Sequence, residues 1–275
     1  MMRAHHDHVA RARWWVACML AGVVAAPVAA RAQSDAMAPF LGTWSGFFTT
    51  QDDPFWGLED IPCFPGCGRD FRDRLVALLQ DPANDERPAG ALLGEATAFA
   101  TQQMNAILTP EGRLMRDANT SANDPKLHCE PYGFVREVTN PLPMVIQRDG
   151  DNLLVRYEEW SLLRTIYMDG RAHPEHRVST LLGHSVGRIE NGTLIVETAQ
   201  IHPGWISDAS LAAHSGRLIA VERYTVHDDP RRLELTLTLE DPVVLTEPYV
   251  VVKTWLATPD IELLQDSCGE IPGKF

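Results

Sequence analysis

The chain has 275 residues, a formal net charge of −13 at pH 7, and hydrophobic side chains at 45% of its positions. This composition is ordinary for a folded globular protein. The acidic charge repels the phosphate backbone of nucleic acids, so we expect no nucleic-acid partner.

The N-terminus has the features of an export signal. Arg3, Arg11 and Arg13 form a basic region, an apolar run covers residues 16–29, and Ala30-Arg31-Ala32 matches a cleavage site. The apolar run is about 14 residues long, whereas a membrane-spanning helix needs roughly 20, so a signal peptide is favoured over a membrane anchor. We therefore expect a periplasmic or secreted protein that loses residues 1–32 and has no membrane span after cleavage.

Four cysteines follow this segment, at Cys63, Cys67, Cys129 and Cys268. An even number of cysteines in an exported protein favours disulfides, and three connectivities are possible. We predict a Cys63–Cys67 bond that closes a tight loop and a Cys129–Cys268 bond that ties the C-terminal tail to the body. A zinc site is the rival interpretation, but the C-x3-C spacing is borderline and the other two cysteines are isolated.

The first part of the mature chain combines one strand with helices. The G-x-W pattern at residues 42–44 opens a predicted strand, and it is typical of lipocalin-type barrels in which the tryptophan plugs one end. Residues 49–68 are rich in Pro, Gly and Asp and predict a loop. Apolar residues at helical spacing then predict two helices within 69–108, separated at Asp81-Pro82. Because 40 or so residues make too small a core alone, we expect a helical insertion that covers one end of a sheet or barrel.

The chain is rich in predicted β-strands from about residue 130 onward. These strands cover residues 132–138, 144–148, 153–158, 162–168, 218–226, 233–239 and 249–256, with a further hairpin around Asn191-Gly192. Short strands joined by tight turns, without crossover helices, predict an antiparallel meander closed as a barrel or folded as a sandwich. We favour a mainly β fold: an antiparallel up-and-down β-barrel, calycin- or lipocalin-like, forming a single domain over residues 33–275.

Residues 183–187 match G-x-S-x-G, the nucleophile elbow of serine hydrolases. An elbow places its serine between a strand and a helix, whereas Ser185 precedes the Asn191-Gly192 hairpin. A catalytic triad would also need a histidine and a carboxylate. The candidates for these two roles are His202, His214, Asp208 and Glu222. An esterase-like hydrolase using Ser185 is therefore an alternative rather than the leading hypothesis.

Five ionisable residues are the candidate catalytic residues: Asp169, His173, His184, Arg164 and Glu222. Histidine is the side chain best suited to proton transfer near neutral pH. Arg164 and Glu222 share strand faces with apolar residues, and a buried charge requires a partner. An Arg164–Glu222 ion pair would be a purely structural solution. Alternatively, a buried carboxylate beside His184 or His173 would have a shifted pKa and would transfer protons to a bound ligand.

A metal site is a further alternative for this region. His173 and His176 are three residues apart, and His184 and Asp169 lie nearby in the sequence. However, Gly and Pro interrupt residues 169–174, which is typical of a solvated loop. We therefore expect no metal and no cofactor.

Six short sequence blocks follow one another after residue 160. They are Asp169-Gly170-Arg171-x-His173-Pro174, Gly183-His184-Ser185-x-Gly187-Arg188-x-Glu190, Thr193-Leu194-x-Val196-Glu197-Thr198, His214-Ser215, Val221-Glu222-Arg223 and Glu240-Asp241-Pro242. Over about residues 125–272 the chain resembles a large family of exported bacterial proteins of undefined role. The resemblance implies a calycin-like or otherwise barrel-forming exported protein. Ile189 replaces the family's usual tryptophan, and the helical stretch 69–108 is also a departure from it.

The leading hypothesis is an exported β-barrel that binds a small, largely apolar molecule in its interior, with the five candidate residues near one opening. Two versions of this hypothesis stay open. In one the protein only binds the ligand. In the other it catalyses a non-hydrolytic acid–base step, of the lyase, isomerase or cyclase type, on that ligand. The sequence leaves the identity of the ligand and the oligomeric state undetermined.

Overall fold

The computed structural model describes residues 36–46, 68–176 and 178–264. The strands in these residues are β1 Gly42–Ser45, β2 Met144–Asp149, β3 Asn152–Tyr157, β4 Leu163–Tyr167, β5 His184–Glu190, β6 Thr193–Ala199, β7 Gly204–Trp205, β8 Ala213–His214, β9 Ile219–Asp228, β10 Arg231–Glu240 and β11 Tyr249–Ala257. Nine of them close into a barrel in the order β1-β11-β10-β9-β6-β5-β4-β3-β2, and β7 and β8 form a separate two-stranded sheet. The predicted mainly β barrel is confirmed, and the sandwich alternative is not adopted.

The helices are α1 Arg69–Gln80, α2 Ala89–Ile107, α3 Pro110–Asp117 and α4 Phe134–Val138. The first two confirm the helices predicted within 69–108. They pack against each other through a small apolar core, which consists of Phe71, Leu75, Leu78, Leu92 and Ala96. This core is too small to stabilise a domain alone, so the helix pair depends on its attachment to the barrel.

Hydrogen-bonded contacts at two places attach the helix pair to the barrel. Gly68, immediately before α1, forms an isolated bridge with Val251 of β11. Beyond α2, the Thr109 amide donates to the carbonyl of Val244 at 2.9 Å, and the Thr109 hydroxyl donates to the carbonyl of Val243 at 2.6 Å. The helices are therefore held against the barrel at both ends of the α1–α2 segment.

One neighbouring pair of barrel strands departs from the antiparallel prediction. Strands β4 and β5 run parallel, with Ile166 opposite Ser185 and Tyr167 opposite Val186. The reason is the long connection between β4 and β5, which does not form a hairpin at Asp169-Gly170. A parallel pair requires a long connection of this kind. All other neighbouring pairs in the barrel are antiparallel.

The strand predicted over residues 132–138 is wrong, because residues 134–138 form the short helix α4 and the two residues before it belong to no strand. Gly133 has φ +99°, a conformation that favours glycine, and it directs the chain into the helix. The Thr139 hydroxyl donates to the carbonyl of Val135 at 2.7 Å and supports the last turn. All five residues of α4 are buried, so tertiary packing overrides the β propensity of Phe and Val here.

The barrel core follows the two-residue period of its strands. Leu233, Leu235, Leu237 and Leu239 of β10 are all fully buried and alternate with polar residues. Trp44 of β1, the predicted end-plugging tryptophan, is also fully buried, and its indole N–H donates to the carbonyl of Phe40 at 3.0 Å. The alternation read from the sequence therefore identifies the interior face correctly.

Several sequence-based predictions concern residues outside the described ranges. The signal peptide lies there, and each predicted disulfide includes at least one cysteine from Cys63, Cys67 and Cys268. The cysteine pairing therefore stays a prediction. Among the residues that the structure describes, no helix has the length and apolar character needed to cross a membrane.

Candidate functional site

Arg164 and Glu222 form an ion pair inside the barrel. Arg164 lies on β4 and Glu222 on β9, and each is at most 3% exposed. The two guanidinium NH groups of Arg164 contact the two carboxylate oxygens of Glu222 at 2.5 and 2.8 Å. Such a bidentate arrangement satisfies both charges where water is excluded.

Hydroxyl groups from neighbouring strands complete the hydrogen bonding of this pair. Arg164 also donates to the hydroxyls of Ser185 on β5, at 2.9 Å, and of Thr198 on β6, at 2.8 Å. The Tyr224 hydroxyl donates to Glu222 at 2.7 Å. Because β4, β5, β6 and β9 are consecutive around the barrel, the network spans four adjacent strands. We call these five residues the interior network.

Electrostatics in the interior network keep Arg164 charged. Burial alone would lower the pKa of Arg164, but the adjacent Glu222 carboxylate outweighs it and raises that pKa above its ordinary value. Burial, together with the charge of Glu222, raises the pKa of the Tyr224 hydroxyl. The Arg164 guanidinium also lies over the ring of Phe134 in α4, 5.0 Å from its centroid. The interior network is thus compact, internally paired and covered by α4.

His173 and His184 form a second cluster on the outer face of the barrel. Side chains alternate along β5, so His184 points away from the interior that Ser185 faces. The Nδ1 atoms of His173 and His184 are 2.8 Å apart, which requires one ring to donate and the other to accept. Nε2 of His173 lies 3.3 Å from the carboxylate of Glu197 on β6. His184 is 4% exposed, whereas the His173 side chain is 20% exposed and reaches solvent.

Tyr167 extends this outer cluster toward Asp169. Its ring stacks on His184 with centroids 5.0 Å apart, and the guanidinium of Arg171 lies 3.9 Å from the centroid of the Tyr167 ring. Arg171 in turn pairs with Asp169 at 2.5 Å, and the hydrogen bonds from Arg171 lower the pKa of that carboxyl to about 2. Asp169 is therefore an exposed, ionised carboxylate held by its neighbour.

The five candidate catalytic residues therefore fall into two groups on opposite faces of the barrel wall. Arg164 and Glu222 lie inside and are paired with each other. His173 and His184 lie outside and contact each other, with Asp169 joined to them through Arg171 and Tyr167. The sequence predicted all five near one opening; they are separated because side chains alternate along β5, so that Ser185 faces the interior with Arg164 and His184 faces outward.

The Ser185 hydroxyl lacks the surroundings of a hydrolase nucleophile. It is 1% exposed, and its hydrogen bonds within the described residues go to Arg164 and Thr198 rather than to a histidine. Strand β5 continues through Ser185 to Glu190, with no helix behind the serine. An elbow needs that helix and an accessible hydroxyl beside a base, so the geometry argues against the esterase alternative.

The arrangement of possible metal ligands is also sparse. His173 and His184 contact each other, but the His176 side chain is exposed and the Asp169 carboxylate is paired with Arg171. In the part of the chain that the structure describes, no group of three or more His, Cys, Asp or Glu side chains is arranged to hold a metal ion.

A groove between the helices and neighbouring loops was missed by sequence reasoning. Its volume is about 460 Å³, and its walls are α1, α2, the turns Ser121–Asn123 and Pro125–His128, and the loop 205–210. We call it the helical groove. Its apolar lining residues include Phe71, Leu93, Ala100, Met104, Leu127 and Trp205.

One wall of the helical groove is polar. Asp124 and Asp208 line it, and both carboxylates face the buried Arg136 of α4. Arg136 donates to the two oxygens of Asp124 at 2.9 and 3.0 Å, whereas its nearest atom lies 3.9 Å from Asp208. Burial would raise the pKa of Asp124, but the hydrogen bonds from Arg136 outweigh it and lower that pKa. Arg136 also covers the ring of Tyr132, 4.3 Å from its centroid.

Two further buried ionisable groups lie outside the five candidate catalytic residues: Lys253, which the sequence analysis missed, and His214, which it named only as a possible triad histidine. Burial lowers the pKa of Lys253 on β11 to about 7 and that of His214 on β8 to about 4. A signal for Lys253 was present in the sequence, because it shares the two-residue period of Val251 and Trp255 on the buried face of its strand. No comparable signal marked the groove, since its lining comes from segments that are distant in the sequence.

Comparisons with known proteins leave the relationship of this chain open. No family model, curated protein or solved structure matches it. The closed barrel is compatible with a calycin-like fold, whereas the resemblance to the exported bacterial family stays a prediction.

Proposed function

We propose that the protein binds a small, largely apolar molecule in the helical groove. The observation that carries this proposal is the groove itself: it has a volume of about 460 Å³, and large apolar side chains line it together with polar side chains from the loops and from α2, among them Thr97 and Thr101. Pockets for small molecules have volumes of roughly 300–1,000 Å³ and this mixed character. The export predicted from residues 1–32 would place such a binding protein in the periplasm or outside the cell.

This proposed binding site differs from the one predicted from the sequence: the ligand lies in the helical groove rather than in the barrel interior. The interior around Arg164 and Glu222 is filled by groups that hydrogen-bond to one another, and Leu235 and Leu237 are fully buried beside them. In contrast, Leu93 is 39% exposed and Leu127 is 68% exposed on the groove walls. Exposed large apolar side chains that converge on a concavity favour a ligand site.

A matched pair of variants tests the proposal. Ala100 lines the groove, whereas Ala98 is exposed on α2 outside the lining. We expect the neutral fluorescent probe N-phenyl-1-naphthylamine to bind the wild type and Ala98→Phe equally. Ala100→Phe should weaken binding at least tenfold, because the added ring fills the groove. Equal binding by all three proteins would contradict the proposed site.

A second candidate function is proton transfer by the outer cluster. The observation that favours it is the close contact of His173 and His184, with Glu197 beside the solvent-accessible ring. A carboxylate that orients a histidine is a common feature of general acid–base sites. Material extracted from the purified protein would be incubated with the protein in D2O. The candidate predicts deuterium incorporation that is lost in His184→Ala and in Asp169→Asn while the fold is retained. No incorporation with wild-type protein would count against it.

A further inference from the structure

We propose that the occupant of the helical groove is an amphipathic cation, with an alkyl or aromatic body and one protonated amine. The inference rests on the proposed function and adds the charge of the ligand's polar end. What points to a cation is the combination of charge and hydrogen-bonding capacity on the polar wall.

Asp124 and Asp208 are carboxylates in the groove lining, and none of the described lining residues carries a positive charge. The nearest cation is Arg136, which lies behind the wall and is 3% exposed. Lys126 also acts electrostatically on Asp124, but its ammonium pairs with Glu159 at 2.7 Å, so the two carboxylates around one guanidinium leave a net negative charge at this place. An anionic ligand would be repelled there, whereas a cation would balance the charge.

Of the two carboxylates, Asp208 is the one available to a ligand. Asp124 uses both oxygens on Arg136, and one of them also accepts from the Lys126 amide at 3.0 Å. Asp208 accepts one local bond from the Ala209 amide, and its side chain is 43% exposed. Its contact with Arg136 at 3.9 Å is too long for a hydrogen bond.

Ser210 adds a second acceptor on the same wall. It lines the groove, the residue is 6% exposed, and its Oγ has no hydrogen-bond partner among the described residues. A buried hydroxyl without a partner costs free energy, which a ligand donor would recover once side-chain rotation exposes this buried Oγ to the groove. An ammonium group has three N–H donors and no acceptor, so it suits a carboxylate and a hydroxyl oxygen together.

The remaining lining fits the other end of such a ligand. Phe71, Leu93 and Ala100 come from α1 and α2, and they form the wall across from the acidic loop residues. Transfer of an alkyl body from water onto these side chains is favourable by about 0.8 kcal/mol per buried CH2 group. The net charge of −13 also raises the concentration of cations near the protein surface.

Three probes with the same alkyl chain separate the head-group effect from the apolar effect. Octylamine, octanol and octanoate would each displace N-phenyl-1-naphthylamine from the full-length protein at pH 7. We expect octylamine to bind about tenfold more tightly than octanol, the size of one charge-assisted hydrogen bond, and octanoate to bind most weakly. In Asp208→Asn, octylamine should lose this advantage while the neutral fluorescent probe binds as before. Asp260→Asn, an exposed carboxylate outside the groove lining, is the matched control and should change nothing.

The outcomes separate this inference from the proposed function. If octanol binds as tightly as octylamine, or if Asp208→Asn leaves octylamine binding unchanged, the groove binds ligands but the cationic head group is wrong. If octanoate binds most tightly, the charge assignment is also wrong. If none of the three displaces the fluorescent probe, both the inference and the proposed function fail.

Discussion

Replacing Arg164 should destabilise the protein far more than breaking a similar ion pair on its surface. In Arg164→Met the Glu222 carboxylate stays fully buried, and its remaining hydrogen-bond donors among the described residues are the hydroxyls of Tyr224 and Thr198. Leaving one partner of a buried pair uncompensated costs about 3–5 kcal/mol. We therefore expect the free energy of unfolding to fall by that amount at pH 7.

The chain provides a matched control for this experiment. Arg171 also makes a bidentate contact, with Asp169, but both side chains are more than 40% exposed. Water screens exposed ion pairs, so Arg171→Met should destabilise the protein far less than Arg164→Met, apart from lost packing on Tyr167. Urea unfolding followed by tryptophan fluorescence measures both values.

A double variant completes the test. Arg164→Met combined with Glu222→Leu removes both charges and keeps apolar volume, so it should be more stable than Arg164→Met alone. If Arg164→Met does not fold, Thr198→Val provides a milder change, because it removes one acceptor of Arg164 at a cost of about 1–3 kcal/mol. A loss below about 1 kcal/mol in Arg164→Met would mean that water reaches Glu222, and it would refute the filled interior on which the placement of the ligand depends.

Three further perturbations follow from the same structure. Burial lowers the pKa of His214 from 6.5 to about 4, so the unfolded state binds the proton first as the pH falls, and stability should decrease by about 3 kcal/mol between pH 6.5 and 4. In urea titrations at several pH values, the free energy of unfolding of His214→Gln should lack this part of the decrease. The same pH dependence in His214→Gln and the wild type would contradict the assignment of the decrease to His214. Leu237→Ala should cost about 2–5 kcal/mol by opening a cavity in the barrel, whereas a loss under 1 kcal/mol would mean a loosely packed core. Thr109→Ala removes a bond to Val243 and the cap of α3, so it should lower the thermal midpoint by several degrees, and an unchanged midpoint would show that the attachment contributes little.

The sequence predicts the parts of this fold that depend on local patterns. The alternating leucines of β10 and the Asn191-Gly192 turn lie in the predicted elements, and α1 ends at the predicted break before Asp81-Pro82. The pairing of Arg164 with Glu222 was also one of the stated alternatives, because a charge on an apolar strand face requires a partner.

The parts that failed depend on the path of the chain in three dimensions. Residues 132–138 have β-prone composition, yet the position of Gly133 and full burial make them a helix. The direction of β5 depends on the connection over residues 168–183, whose composition predicted only a turn. The register of β5 against β4, with Ser185 opposite Ile166, decides that Ser185 faces Arg164 while His184 faces outward.

The groove was unpredictable for a related reason. Asp124 and Asp208 meet around Arg136 only after the barrel, the short turns and α4 have assembled. Each of these residues alone has the sequence context of an ordinary loop or helix. Periodicity identifies which face of an element is buried, but it does not identify which distant segments meet across a concavity.

Analysis of the ligand that co-purifies with the protein tests the central claim most directly. Wild type, Ala98→Phe and Ala100→Phe would be purified in parallel, extracted with organic solvent and compared by mass spectrometry. The account predicts a small, largely apolar compound in stoichiometric amounts with the wild type and Ala98→Phe, and its loss from Ala100→Phe. The same compound at equal abundance in all three extracts would contradict a ligand site in the helical groove.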